Sequence, residues 1–276
     1  MPKEREFDEI VYLRDENRRL RRSLNLLTAP LDVLLRRRGF RIFKQTPSGD
    51  LLLPAEEFLG EYYRMLHRYS FRLFIRDVIK HQDFFQAENV TRYATAGVTA
   101  DYLRYILSIG LITETGDGYQ LSRRPVKSFG ETLEWYVAEI LKREFCFEAI
   151  WGVKFKRPCI GGDYDVLGRF NGSLLYVEVK SSPPKQVTVS EISSFLGRVS
   201  DLSPELTIFF MDTELRMKDK IVPMFEQELA KKYVAPPAVT RMEKELFQIE
   251  SRIFIINAKD SIERNLEKVL NSYFRR

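Results

Sequence analysis

The chain is poor in the residues from which many metal and redox sites are built. Its 276 residues include two cysteines and two histidines. Cys146 and Cys159 fit neither a zinc-ligand pattern nor a disulfide framework, so the expected compartment is a reducing cytoplasm. His67 and His81 cannot supply the histidine-rich centres that several hydrolytic chemistries need. No apolar run approaches the ~18 residues of a membrane span, and the charged N-terminus is unlike a signal peptide, so no membrane partner is expected. There is no Gly-rich loop ending in Gly-Lys-Ser/Thr, which argues against ATP hydrolysis. Internal repeats and low-complexity tracts are absent. What remains is chemistry done by carboxylates and lysine.

Charge and apolar residues are both plentiful. The 44% hydrophobic content suffices for a core, and the length allows one large domain or two ordinary ones. With 44 Lys and Arg against 39 Asp and Glu the formal net charge is +5. That balance is compatible with nucleic-acid contact, although many soluble proteins share it.

The most informative stretch is residues 161 to 185. Two apolar-rich runs, Tyr164 to Phe170 and Leu174 to Ser181, flank Asn171-Gly172, a strong short-range signal for a two-residue β-hairpin turn. In that register Phe170 pairs with Ser173, Asp165 faces Glu178, and Asp163 faces Lys180. Residues two apart on a strand share a face, so Asp165, Glu178 and Lys180 are expected to converge while Val177 and Val179 turn to the core. Like charges directly opposed on paired strands are destabilising. Such carboxylates want a proton, a cation or a compensating positive group, and Mg²⁺ takes oxygen ligands of this kind. The alternative is a surface hairpin with alternating charges.

At these residues the chain resembles the PD-(D/E)XK nuclease superfamily, whose fold is restriction-endonuclease-like. The matching residues are Asp165 followed by Glu178-Val-Lys180, and the spacing is most similar to archaeal Holliday-junction resolvases. The resemblance covers about residues 128 to 260. It implies a metal-dependent DNA endonuclease using Mg²⁺ or Mn²⁺, in repair, recombination or restriction. Asp165, Glu178 and the Val179 carbonyl would be metal ligands and Lys180 a catalytic partner. Glu134, on the preceding helix, matches the family's further acidic residue. Asp163 ranks behind Asp165, whose Asp-Val step fits the family better and whose register faces Glu178. Lys185 is a candidate phosphate contact. No Gln or Tyr motif of the kind several branches carry follows Lys180.

In chain order, residues 4 to 28 read as a charged helix with Ile10, Leu13, Asn17, Leu20, Leu24 and Leu27 on heptad a and d positions. This is either a homodimer contact or an amphipathic helix packed on its own chain. A short helix from Leu31 to Arg38 ends at Gly39. Phe40 to Gln45 and Leu51 to Leu53 are expected to pair as a small hairpin. Helical spacing runs from Ala55 to His81, with further helices over 87–95 and, capped by Thr99, over 99–109. A strand–turn–strand follows around Thr115 to Gly118. Three helices and a hairpin resemble a winged helix-turn-helix domain, which implies DNA contact through the third helix, with Asp101, Arg104, Tyr105 and Ser108 outward.

The polar link 122–127 marks the expected boundary. The predicted organisation is 1–54 as helix and small hairpin, 55–127 as winged-helix-like, and 128–276 as nuclease-like. The fold class is α/β, with a mixed sheet flanked by helices after a mainly helical unit. Beyond the hairpin we expect a helix from Thr188, a doubly covered strand Leu206 to Met211, and a helix ending near Lys232. Next come a helical stretch 241–249, a strand 252–256 and a closing helix 261–274. The alternative function is a non-catalytic winged-helix regulator, or an assembly protein, on a nuclease-like fold.

Overall fold

The computed structural model describes residues 12–20, 23–24, 27–45, 49–156 and 162–275. Residues 12–20 are helical, and helix α1 spans Leu31–Arg37, ending before Gly39 at φ 86°. Then come β1 (Ile42–Gln45), α2 (Leu59–Leu66), α3 (Tyr69–Lys80), α4 (Ala96–Ser108), and the hairpin β2 (Ile112–Thr115) and β3 (Gly118–Leu121). The rest is α5 (Gly130–Phe145), β4 (Glu148–Phe155), β5 (Tyr164–Phe170), β6 (Ser173–Lys180), α6 (Val189–Leu202) and β7 (Leu206–Met211). It closes with α7 (Ile221–Lys232), β8 (Val239–Glu243), β9 (Leu246–Ile249), β10 (Ile253–Asn257) and α8 (Ile262–Phe274).

An eight-stranded mixed sheet in the order β1-β4-β5-β6-β7-β10-β9-β8 organises the chain. β6, β7 and β10 are parallel, and the neighbours on either side are antiparallel. Both faces are covered, so β7 (LTIFFM) is buried along its whole length, as its continuous apolar run predicts. Its side chains alternate between two apolar clusters. Ile208 and Phe210 pack with Val177, Val179, α5, α8 and the helical unit. Phe209 and Met211 pack with Tyr176, α6 and α7. Each such fully buried side chain contributes roughly 1.5–3 kcal/mol. The first cluster is continuous from Tyr62 and Phe74 in the helical unit to Trp135 on α5 and Val177 in the sheet.

Several expectations are corrected. β1 pairs antiparallel with β4 rather than with Leu51 to Leu53. Phe40 packs against Phe155 with the rings tilted at 58° and centroids 4.9 Å apart, and the Leu52 amide instead donates to Thr132 Oγ1 on α5 at 2.9 Å. Pairing there covers what would otherwise be a bare sheet edge. The segment 55–81 is two helices, broken where Arg68 takes an extended ψ of 116°. Residues 87–95 hold only a 3-10 turn, Ala87–Val90. α4 is capped by Thr95, whose side chain accepts from the Val98 amide, while Thr99 is buried inside the helix. Residues 241–249 belong to a hairpin: β8 and β9 pair around Lys244-Glu245, with Lys244 at φ 47°. Short apolar runs do not separate helix from strand by period alone.

The N-terminal heptad is partly described, since Ile10 lies outside the described residues. Leu13, Leu20, Leu24 and Leu27 are all exposed, Leu27 at 81%. The helix therefore does not pack these side chains on its own chain.

Candidate active site

The hairpin forms in the register set by Asn171-Gly172, from Phe170 opposite Ser173 to Val166 opposite Val177. Asn171 and Gly172 both take positive φ, as a type I′ turn requires. At Asp165 the regular pleat gives way. Val166 joins the first apolar cluster and Tyr164 the second, although alternation would put them together. Facing this break, between the pairs Trp151–Val166 and Val153–Tyr164, is Gly152 at φ 60°. A glycine in that conformation bends a strand and re-aims its neighbours. The Asp165 side chain uses the opening: Oδ2 accepts the Val179 amide at 2.7 Å.

Glu178 and Lys180 project from β6 toward α6. Glu178 is 1% exposed and densely bonded. Arg198 Nη2 donates to both of its oxygens at 2.7 and 2.8 Å, Lys180 Nζ lies 2.8 Å from Oε1, and the Tyr176 hydroxyl donates to Oε2. Arg198 also donates from Nε to the Tyr176 oxygen at 2.9 Å. Lys180 reaches Glu191 as well, at 3.5 Å. Glu191 is placed by a reciprocal capping box with Thr188 at the start of α6. Burial works against the Lys180 ammonium, but the charges of Glu178 and Asp165 outweigh it and hold its pKa above the ordinary lysine value.

Glu134 comes in from α5. Its Oε2 lies beside Gly152, 3.9 Å from where a Cβ on that glycine would stand. Among the described residues Glu134 has no hydrogen-bond or ion-pair partner. Burial first, then the charges of Asp165 and Glu131, push it up to about 10. Burial and then Glu178 push Asp165 up to about 8, against the pull of Lys180 and the Val179 amide. Carboxyls raised first by burial and then by neighbouring acids mark candidate functional sites, although structural networks raise them too. The donors are oxygen only, the kind a hard divalent cation uses with one or two carboxylates and retained waters. Among the described residues no three His, Cys, Asp or Glu side chains group as a metal cage.

The raised carboxyls predict a pH dependence of stability. Unfolded carboxyls titrate near pH 4, so between there and the folded values the native chain binds more protons than the unfolded one. Stability is then fully present at low pH and falls as pH rises through the values of Asp165 and Glu134. In thermal melts with chelator, Glu134→Gln should flatten the decline between pH 6 and 9 and melt above wild type at pH 9. Parallel curves would remove the repulsion from the account.

The other expected contacts fare differently. Asp163 pairs with Lys154 at 3.0 Å, and its charge also helps raise Glu134. Tyr105, expected outward, turns inward: its ring packs edge-on against Phe71 and its hydroxyl is buried, because position 105 borders the apolar face of α4. Arg104 is exposed and paired with Asp101. Lys185 is exposed in a 3-10 turn, and its carbonyl accepts from Lys220 Nζ at 2.7 Å. Sequence reasoning missed Tyr176 and Arg198. The signal for Arg198 was its place three residues after Phe195 and four before Leu202, a lone cation on the apolar face of α6.

No protein-family model matches the chain, and no curated protein matches it in sequence. Among solved structures it is similar in fold to Can2 from Sulfobacillus thermosulfidooxidans in complex with cyclic tetra-adenylate, with TM-score 0.51 and 14% identity over 88% of this chain. The match spans 61% of the Can2 chain. Protein VC1899 from Vibrio cholerae matches 70% of this chain and 54% of its own at 13% identity, with TM-score 0.44. At 14% identity the likeness to Can2 is one of fold alone.

Proposed function

We propose that the chain is a metal-dependent DNA endonuclease of PD-(D/E)XK type that hydrolyses phosphodiester bonds at Asp165, Glu178 and Lys180. The observation that carries this reading is the lysine: Lys180 is held 2.8 Å from Glu178 on the strand beside Asp165 and its mutually repelling carboxyl neighbours. Asp165, Glu178 and the Val179 carbonyl would hold Mg²⁺ or Mn²⁺, which when bound polarises the scissile phosphate and acidifies a water. Glu134 would ligate that cation or position the attacking water from α5. Lys180 stays charged, orients the water and offsets negative charge developing on the phosphate. Arg198 and Tyr176 position Glu178. The α2–α4 helices with the β2–β3 hairpin are proposed as a winged-helix-like unit, with Arg104 on its surface as the DNA contact. The exposed Leu13, Leu20, Leu24 and Leu27 seam is proposed as a homodimer contact, for which light scattering should give twice the 32.5 kDa chain mass. Can2 was solved with a nucleic-acid-derived ligand, which is in keeping with a phosphodiester substrate.

A second reading rests on the saturation of Glu178 by Arg198, Tyr176 and Lys180, the bonding of a structural ion pair. On that reading the fold binds DNA without cutting it. Incubation with duplex, single-stranded and four-way-junction DNA, and with RNA, in Mg²⁺, Mn²⁺ or chelator separates the two. Metal-dependent products support the nuclease. DNA binding with no product under any condition supports the regulator.

A further inference from the structure

The ends of two site-bearing elements meet in a feature that the reaction does not explain. An open cavity of about 350 Å³ lies between α3, the link 126–129 leading into α5, and Ser181, the residue after Lys180. Its lining includes Arg76, Lys80 and Lys127 and no carboxylate. Lys80 and Lys127 are exposed and form no ion pair among the described residues. Of the nearby acids, Asp212 is held by Arg72 and Arg76, and Asp50 accepts the Lys127 amide at 3.0 Å. Asp77 lies within electrostatic reach of Lys80 and Arg76, although burial raises its carboxyl against them.

Arg76 is the informative member. Its Nη2 is bonded to Asp212 and its guanidinium lies over the Phe129 ring at 5.5 Å, which fix its position. Its Nε is buried with no acceptor among the described residues. A buried donor left unpaired is costly unless a ligand or water accepts it. Three cations, one of them carrying this unmatched donor, line one concave surface.

We propose that this cavity holds a backbone phosphate of the nucleic-acid strand near the scissile one, with Lys80, Lys127 and Arg76 as its donors. The proposal rests on the nuclease reading for its place beside the reaction, since Ser181 adjoins Lys180 and Phe129 leads into the helix that carries Glu134. The helical unit would thereby grip substrate through α3, a contact distinct from any made by α4.

The test is binding of a short fluorescent DNA duplex in chelator, where no cutting occurs, across a range of salt. Lys80→Ala/Lys127→Ala should bind about tenfold more weakly at low salt. The slope of log affinity against log salt should fall by about one per lysine removed. Lys231→Ala, distant on α7, should match wild type. Both cavity lysines are exposed, so the variant should fold. A second arm compares melting in sodium phosphate with melting in sodium chloride at equal ionic strength. Affinity unchanged in the double variant, or no duplex binding by wild type, overturns the proposal. Phosphate stabilisation that is lost in the variant without any loss of duplex affinity also overturns it, in favour of a free-phosphate site. If the duplex arm succeeds and wild type never cuts DNA, the nuclease reading fails alone.

Discussion

Lys180→Ala should lower metal-supported cleavage about 10²–10³-fold in kcat, the cost of removing one preorganised charge aimed at a developing negative centre. KM should change little, because the lysine is bonded to Glu178 and Glu191 and acts where charge builds up rather than in holding the strand. The substitution also removes one of the donors on buried Glu178, but Arg198 and Tyr176 remain, so the fold should survive. Single-turnover rates and circular dichroism on the same samples check both halves. A variant that cuts within a few-fold of wild type would reduce Lys180 to an ion-pair partner.

The largest effect on stability is expected at Asp212→Ala. Asp212 follows β7, its side chain is fully buried, and its amide donates to the Lys180 carbonyl at 2.9 Å. Its carboxylate receives Arg72 Nε and Nη2, the latter at 2.8 Å, and Arg76 Nη2. Arg72 is 2% exposed and its Nη1 donates to the Leu66 carbonyl at 2.6 Å. Removing the aspartate leaves a guanidinium in the apolar joint between α3 and the sheet with no counter-charge. Breaking a buried pair from one side costs about 3–5 kcal/mol. Urea unfolding should show a lower midpoint at an unchanged slope. Adding Arg72→Met to Asp212→Leu should recover part of the loss, because an apolar pair of similar volume removes the stranded charge. A loss below about 1 kcal/mol would mean that water reaches the joint.

The β5–β6 hairpin was legible because its information is local. Asn171-Gly172 sets the turn, the turn sets the register, and the register assigns a face to Glu178 and Lys180. The covered strand β7 and the helices opening at Thr188 and Ser261 were legible for the same reason. What escaped depends on partners far along the chain. Nothing near Arg198 or Arg72 states that a carboxylate waits in the sheet; only their places on otherwise apolar helix faces betray them. β1 was assigned to a nearby return because the free edge of β4, more than a hundred residues later, cannot be seen locally. The hairpin 239–249 was mistaken for a helix because Leu246, Phe247 and Ile249 suit either period over so short a run. Tyr105 sits at the margin of the apolar stripe of α4, where a small rotation decides between solvent and core.

The most direct measurement is single-turnover cleavage of the preferred DNA by wild type and Asp165→Asn, side by side, in Mg²⁺ and in chelator. The change keeps the side chain's shape and its acceptor for the Val179 amide while removing the charge that a cation needs. The account predicts metal-dependent products from wild type and none from the variant, with both proteins equally folded. Equal cutting by the two, or cutting that persists in chelator, would contradict it.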